Sequence, residues 1–455
     1  MSSPTARRRI MCSMAAAVAL AGCGGSAAPS IFPMPPSLTQ PAPPEIPGRT
    51  PIKHIVIVFQ ENRTFDNIFH GYPGAHWARF GYNHLGKKVW PQPIPLITRW
   101  DPAHEYENWL VEYNGGKMNG FDLEAVDAGF HPPKDFAYDY ARHGDVKPYW
   151  DLAAQGVLGD EMFADHRSQT YAGHLYVIAG AAGPIDSMDR DWYVANNPIG
   201  GLSCAAKGAG EAIDLRTGAT DKNYQTCFNF KTIGDLLSKR GVSWRYYVPF
   251  GDREDIMDGY ASIAHDFDGS EWANVTSPET TLFSDIDNRR LPAVSWVISQ
   301  FANSDHPGQD VPSSNGPSWV ANVFNALGES GYWKDTAIVL TYDDWGGWFD
   351  DVKPKTFNYY EAGFRIPLVI VSPYAKRGYV SHKVHYTGSL LHFIEYTFGL
   401  PSLHTTDARS DRFADCFDFS QRPLPYIRIT PPQPLESLLQ SGRYANAPAD
   451  PNLRD

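Results

Sequence analysis

An α/β chain organised around a mostly parallel sheet is predicted by three features of the 455-residue sequence. Continuous apolar runs rich in β-branched residues occur at 55–59 (IVIVF), 293–298 (AVSWVI), 337–342 (AIVLTY) and 367–372 (PLVIVS). This is the pattern of strands buried on both faces. Helical patterns lie between the runs, and that alternation predicts a mostly parallel central sheet flanked by helices. Dense polar clusters follow two of the runs directly, where sheets of this kind bind ligands.

Taken in order, the N-terminus reads as an address. Arg7, Arg8 and Arg9 precede an apolar stretch at 10–21, too short to span a membrane and suited to an export signal. The following LAGC at 20–23 has the form of a bacterial lipobox, so residues 1–22 are expected to be removed and Cys23 to carry lipid. The three arginines also admit a twin-arginine signal. Residues 23–50 are rich in proline and small residues and read as an extended tether. The expected product is an exported membrane lipoprotein facing the periplasm or the cell exterior.

A catalytic domain over 51–429 is expected next, and a tail over 430–455 containing a short helix at 435–439. Helices are expected at 232–240 ending on Gly241, at 319–327 opened by Ser318 and ending on Gly328, and at 389–396 ending before Gly399. Cys204 and Cys227 flank a glycine-rich surface segment and form the expected disulfide, leaving Cys416 as a buried thiol. The composition, 42% hydrophobic and 20% charged, excludes a disordered chain. A formal net charge of −12 argues against a nucleic-acid partner.

Glu61 and Asn62 follow the first run, and Asp343 and Asp344 follow the third. Oxygen ligands on neighbouring strand ends suit a divalent cation of unknown identity; the same residues are also ordinary solvated turn residues.

Segments 51–66 (PIKHIVIVFQENRTFD), 114–121 (NGGKMNGF), 304–307 (SDHP), 341–347 (TYDDWGG) and 365–373 (RIPLVIVSP), with 378–382 (GYVSH) close behind, occur in an order that resembles the bacterial phosphoesterase family. That family contains phosphatidylcholine-type phospholipases C and acid phosphatases, and the resemblance runs from about 51 to 417. It implies an alkaline-phosphatase-like sandwich with a metal at the strand ends and a Ser or Thr nucleophile. Thr170, in 168–180 (SQTYAGHLYVIAG), stands where the nucleophile belongs, with Ser168 as its neighbour and rival. A helix N-terminus there would favour phosphate, and a coordinated cation would lower the hydroxyl pKa. Thr170 also suits a plain N-cap.

By the same resemblance Glu61, Asn62, Asp343 and Asp344 bind the metal, and Asn62 touches the metal or a phosphate oxygen. His306 faces the phosphoryl group as acid or electrostatic partner, and His104 is a further phosphate-pocket histidine. Asp305 is a ligand or orients His306, and Lys117 is a surface residue or a neutraliser of substrate charge.

The sequence departs from the common pattern at Asp344-Trp345, where many relatives have Glu-His. It departs again at Asp350-Asp351, where Asp-His is common, and at 171–174, where a Pro-Asn-Arg-like stretch is usual. These changes bear on substrate preference more than on reaction type. The expected function is metal-dependent, acid-phosphatase-like hydrolysis of small phosphate esters through a phospho-threonine intermediate. That choice over phospholipid cleavage rests on the chain lacking the C-terminal β-domains of the larger phospholipases. The alternatives are a phospholipase C and a non-catalytic surface binding lipoprotein.

Overall fold

The computed structural model describes residues 50–441 apart from 127, 186–191, 200–202, 206–208, 252 and 254–255. The signal, the lipobox cysteine, the tether up to 49 and the tail beyond 441 lie outside the described residues. Eight strands form the central sheet: β1 (His54–Gln60), β2 (Val157–Gly159), β3 (Trp244–Tyr247), β4 (Val275–Thr276), β5 (Val294–Ile298), β6 (Thr336–Tyr342), β7 (Leu368–Val371) and β8 (Tyr379–Ser381). Their spatial order is β4-β3-β5-β1-β6-β7-β2-β8.

β1 lies mid-sheet and pairs in parallel with β5 (Val58 against Val297) and with β6 (Val58 against Leu340). Successive residues of a strand face opposite sides. Because Val56 to Phe59 and Ala337 to Leu340 are all fully buried, both faces of the sheet are covered. All four expected strands are present. β7 runs antiparallel to both β6 and β2, a direction an apolar run does not encode. The short strands β2, β3, β4 and β8 lack a long apolar run, and their pairing follows from the tertiary fold.

The principal helices are α1 (Phe65–Phe69), α2 (Tyr106–Tyr113), α3 (His143–Gln155), α4 (Thr170–Ala179), α5 (Ile233–Arg240), α6 (Asn315–Gly328), α7 (Gly388–Phe398) and α8 (Leu435–Ser441), with two short helices, Ala264–Phe267 and Thr281–Asp287, between α5 and α6. α5 carries a capping box between Thr232 and Asp235 and ends on left-handed Gly241, as expected. α7 ends the same way on Gly399. α6 differs from expectation. It begins at Asn315, and Gly328 is its last helical residue, with the C-cap on Glu329. α3 packs on α6, α8 packs on α6, and α4 packs on α5 and α7. The segment leading into α8 is tied to α6 by Asn325, which donates to Ile429 O at 2.8 Å, and by Asn322, which donates to Gln433 O at 3.1 Å. Among the described residues no helix is long and apolar enough to cross a membrane.

The glycine-rich surface segment of the sequence reading is instead part of a three-stranded antiparallel sheet, Tyr193–Ile199, Ala209–Asp214 and Thr220–Gln225. Its first strand packs against α4, and Ala212, Ile213 and Tyr224 are buried. The expected disulfide, Cys204–Cys227, closes a loop with a sequence separation of 23 across this sheet. Closing a loop of that length restricts the unfolded chain, so replacing both cysteines by serine is expected to cost about 3 kcal/mol. A urea midpoint unmoved by that double substitution would contradict this.

Candidate active site

Glu61 and Asn62 leave the end of β1, and Asp343 and Asp344 leave the end of the adjacent β6. The two strand ends are sewn together by their backbones: Asp343 N donates to Gln60 O at 3.0 Å and Arg63 N to Asp344 O at 3.1 Å. Asn62 adopts a left-handed conformation (φ 59°) that asparagine tolerates better than most residues. Its N–H donates to Asp343 Oδ1 at 2.9 Å. Gly346 approaches so closely that a Cβ there would stand 2.3 Å from Asn62 O. α4 approaches from the other side, where a Cβ on Gly173 would lie 3.0 Å from Asp343 Cβ.

Thr170 is the first helical residue of α4. The N-cap is Gln169, so the plain-cap reading of Thr170 does not hold. Its hydroxyl donates to Glu61 Oε2 at 3.2 Å. Ser168 is buried, and its hydroxyl lies beside Tyr360. His174, one turn further along α4, places Nε2 3.4 Å from Glu61 Oε1 and Nδ1 2.7 Å from the Tyr246 hydroxyl. Its ring is edge-on to Phe59. Positions i and i+4 share a helix face, so Thr170 and His174 reach the two oxygens of one carboxylate. The sequence reading passed over His174 as a departure from pattern; its spacing of four from Thr170 was the available signal. Glu61, His174 and Asp343 together present three ligand atoms within 4.8 Å of one another.

Asn62 bridges this group to a second. With its amide oriented to satisfy its neighbours, Nδ2 donates to Asp343 Oδ1 and Oδ2 (3.2 and 3.1 Å) and to Glu61 Oε2 (3.2 Å). Its Oδ1 accepts from His306 Nε2 (3.0 Å) and His104 Nε2 (2.8 Å). In this orientation the amide oxygen faces the histidines, and direct ligation of a cation beside the carboxylates requires the amide to turn. His104 and His306 are each anchored through Nδ1 to a backbone carbonyl, of Pro102 (2.7 Å) and Pro307 (2.6 Å). Asp101 Oδ2 lies 3.8 Å from His306 Nε2, and this carboxylate, three residues before His104, was not singled out in the sequence.

All seven expected site residues thus meet. Asp305 does not join them: its carboxylate accepts from the Tyr149 and Tyr342 hydroxyls (2.7 and 2.5 Å), and its backbone carbonyl accepts from the Arg63 guanidinium. Lys117 is exposed and lines a separate surface cleft of about 350 Å³ with Met118, Phe349 and Asp351.

The electrostatics of the strand ends suit a cation. Burial, reinforced by Glu61, pushes the Asp343 carboxyl up to about 7. Burial and the neighbouring Asp343 raise Asp344 well above the ordinary carboxylate range. Asp344 Oδ2 is buried without a hydrogen-bond partner. Like charges crowded in low dielectric are unfavourable until an opposite charge sits among them. The donor set of carboxylates with one imidazole therefore fits a hard or borderline divalent ion.

The departures from the common pattern have structural partners. Trp345 is buried and donates to Glu112 Oε2 at 2.7 Å, its ring edge-on to His104. Asp350 and Asp351 bind Arg365, and His76, from a distant segment, lies 3.4 Å from Asp351.

The chain belongs to the phosphoesterase family, which it matches over residues 52–401. It is by class a phosphoric ester hydrolase. Phospholipase C B of Mycobacterium tuberculosis is 25% identical over 83% of this chain and 80% of that protein. Hemolytic phospholipase C of Pseudomonas aeruginosa is 24% identical over 77% of this chain, and the match spans only 53% of that protein's length. Among solved structures, a protein in the alkaline phosphatase superfamily from Vibrio parahaemolyticus overlaps with a TM-score of 0.39 and 14% identity, over 83% of this chain and 74% of that one.

Proposed function

We propose that the domain at 51–429 is a metal-dependent phosphoesterase working through a phospho-threonine intermediate. The observation that carries the reading is the Thr170 hydroxyl at the start of α4, 3.2 Å from Glu61 Oε2, the same oxygen that accepts from the Asn62 amide linked to His104 and His306. Glu61, Asp343, Asp344 and His174 would hold the ion, with Asn62 joining by turning its amide. When bound, the ion supplies positive charge that lowers the hydroxyl pKa and offsets negative charge developing on the phosphoryl oxygens.

The chain's own residues supply the rest. The first N–H groups of α4 and the helix dipole orient the phosphoryl group. Thr170 Oγ1 attacks phosphorus and its proton leaves along the existing hydrogen bond to Glu61. His306, held by Pro307 O, donates a proton to the departing oxygen, and His104 binds a phosphoryl oxygen. Water then attacks the phospho-threonine, giving a proton to His306, and the departing Thr170 Oγ1 takes back the proton held on Glu61.

For the substrate, the relatives named phospholipase C favour a phosphodiester head group over the monoester that the sequence reading preferred. Length does not separate the two, because the match spans 80% of the mycobacterial phospholipase. The proposal retains export and the lipid anchor on Cys23, which would hold the enzyme at a membrane.

The test compares p-nitrophenyl phosphorylcholine with p-nitrophenyl phosphate, before and after chelation and metal add-back. The diester should turn over faster, chelation should abolish turnover, and a divalent ion should restore it. Preference for the monoester would return the phosphatase reading. Activity indifferent to chelation would remove the metal from the proposal. No turnover of either ester with any common divalent ion would favour the binding lipoprotein.

A further inference from the structure

The geometry points to a second cation site, made by His385, Asp415 and Cys416, that holds a zinc-type divalent ion through a thiolate. It is independent of the catalytic proposal. His385 lies between β8 and α7, at the edge of the central sheet and three strands beyond β6, whose end carries the Thr170 site. His385 Nε2, Asp415 Oδ1 and Cys416 Sγ face one another across a gap. The separations are 3.9 Å (N to O), 3.8 Å (S to O) and 4.0 Å (N to S). No nitrogen–oxygen hydrogen bond spans 3.9 Å. In this nearly equilateral triangle, the point equidistant from the three atoms lies about 2.25 Å from each, in the range of zinc bonds to imidazole, carboxylate and thiolate.

The surroundings are those of a ligand set held in place. His385 Nδ1 donates to Asp411 Oδ1 at 2.7 Å, which keeps a proton on Nδ1 and turns Nε2 toward the gap. A carboxylate behind a histidine is the usual support of a metal-bound imidazole. Asp411 is itself held, accepting from Ser389 Oγ and from Phe413 N, both at 3.0 Å. Asp415 is oriented through its other oxygen, which accepts from Ser381 Oγ at 2.6 Å and from Tyr379 OH at 3.3 Å. Ser381 Oγ lies 3.0 Å from Nε2. His385 and Cys416 are fully buried.

Chemistry separates this group from the Thr170 site, whose candidate ligands are oxygen and nitrogen. Sulfur selects softer ions such as zinc. Among the described residues Cys416 is the free cysteine, the other two being joined in the disulfide. Ion binding expels the thiol proton of Cys416 to solvent, leaving a thiolate and a neutral imidazole as ligands. The ion would clamp the 411–416 segment to the chain between β8 and α7.

The experiment is a titration of the full chain with cobalt(II), followed by absorption. A thiolate ligand yields a near-ultraviolet sulfur-to-cobalt charge-transfer band that a site of oxygen and nitrogen ligands cannot produce. The expected result is one band-bearing cobalt per chain, displaced by zinc and lost in Cys416→Ser. Asp411→Asn keeps the thiol and should weaken cobalt binding by roughly 10–100-fold; it carries the test should Cys416→Ser fail to fold. No band in the unaltered chain, an undiminished band in Cys416→Ser, or unchanged affinity in Asp411→Asn would overturn the assignment.

Discussion

Replacing Thr170 by alanine is expected to lower kcat on the better p-nitrophenyl ester by at least about a thousandfold, because removal of a nucleophile abolishes the covalent route. The fold should survive. Thr170 is not the cap of α4, its hydroxyl bonds to Glu61, and alanine is a good helix former. Thr170→Ser keeps the hydroxyl and should retain measurable turnover. Rapid quenching of the unaltered enzyme should trap the transferred group on Thr170, phosphorylcholine from the diester or phosphate from the monoester, and none on Thr170→Ala. Unchanged turnover in Thr170→Ala would sink the nucleophile assignment and direct attention to Ser168. A Thr170→Ala protein that still binds the ester without cleaving it would separate loss of chemistry from loss of the site.

The largest expected loss of stability comes from Arg365, at the approach to β7. Its guanidinium is fully buried and donates to Asp350 (2.8 Å), Asp351 (3.0 Å), His76 O (3.0 Å) and Asp160 O (2.8 Å). Asp66 lies 3.4 Å away and the guanidinium sits over the Phe65 ring. The surrounding acids hold Arg365 protonated against the cost of burial. Arg365→Met preserves much of the volume but strands Asp350, which has no exposure, and leaves Asp66 and Asp351 facing each other. Breaking a buried pair on one side typically costs about 3–5 kcal/mol. The urea midpoint should fall accordingly. Activity should fall with it, since Asp350 and Asp351 end the loop that begins with Asp343 and Asp344. Adding Asp350→Asn to Arg365→Met should recover part of the loss by removing one unpaired charge. A midpoint shift below about 1 kcal/mol would show that water enters and solvates these carboxylates.

Most of the candidate site was legible in the sequence because its parts are local. Glu61-Asn62 and Asp343-Asp344 are adjacent pairs directly after apolar runs, and a run long enough to be a buried strand shows where its end lies. The ordered motifs then supplied Thr170, His104 and His306. The Cys204–Cys227 pair and the α5 and α7 stop signals were readable for the same reason, since caps and short loops are decided by neighbours in the chain. Asp305 shows the limit. Beside His306 in sequence it reads as a ligand or as the group that orients His306, but its carboxylate turns to Tyr149 and Tyr342.

By itself, then, the sequence determined the class of fold, the strand ends that hold the candidate site and the family. Those depend on periodicity and on residues a few positions apart. Only the tertiary structure decided that β7 runs antiparallel, because a fully buried run carries no record of direction. Only it brought His174 to Glu61, Asp101 to His306, His76 to Asp351, and Cys416 to His385. Each of these contacts joins segments whose separation along the chain carries no signal, and each exists because packing of the sheet and helices brings those segments to one place.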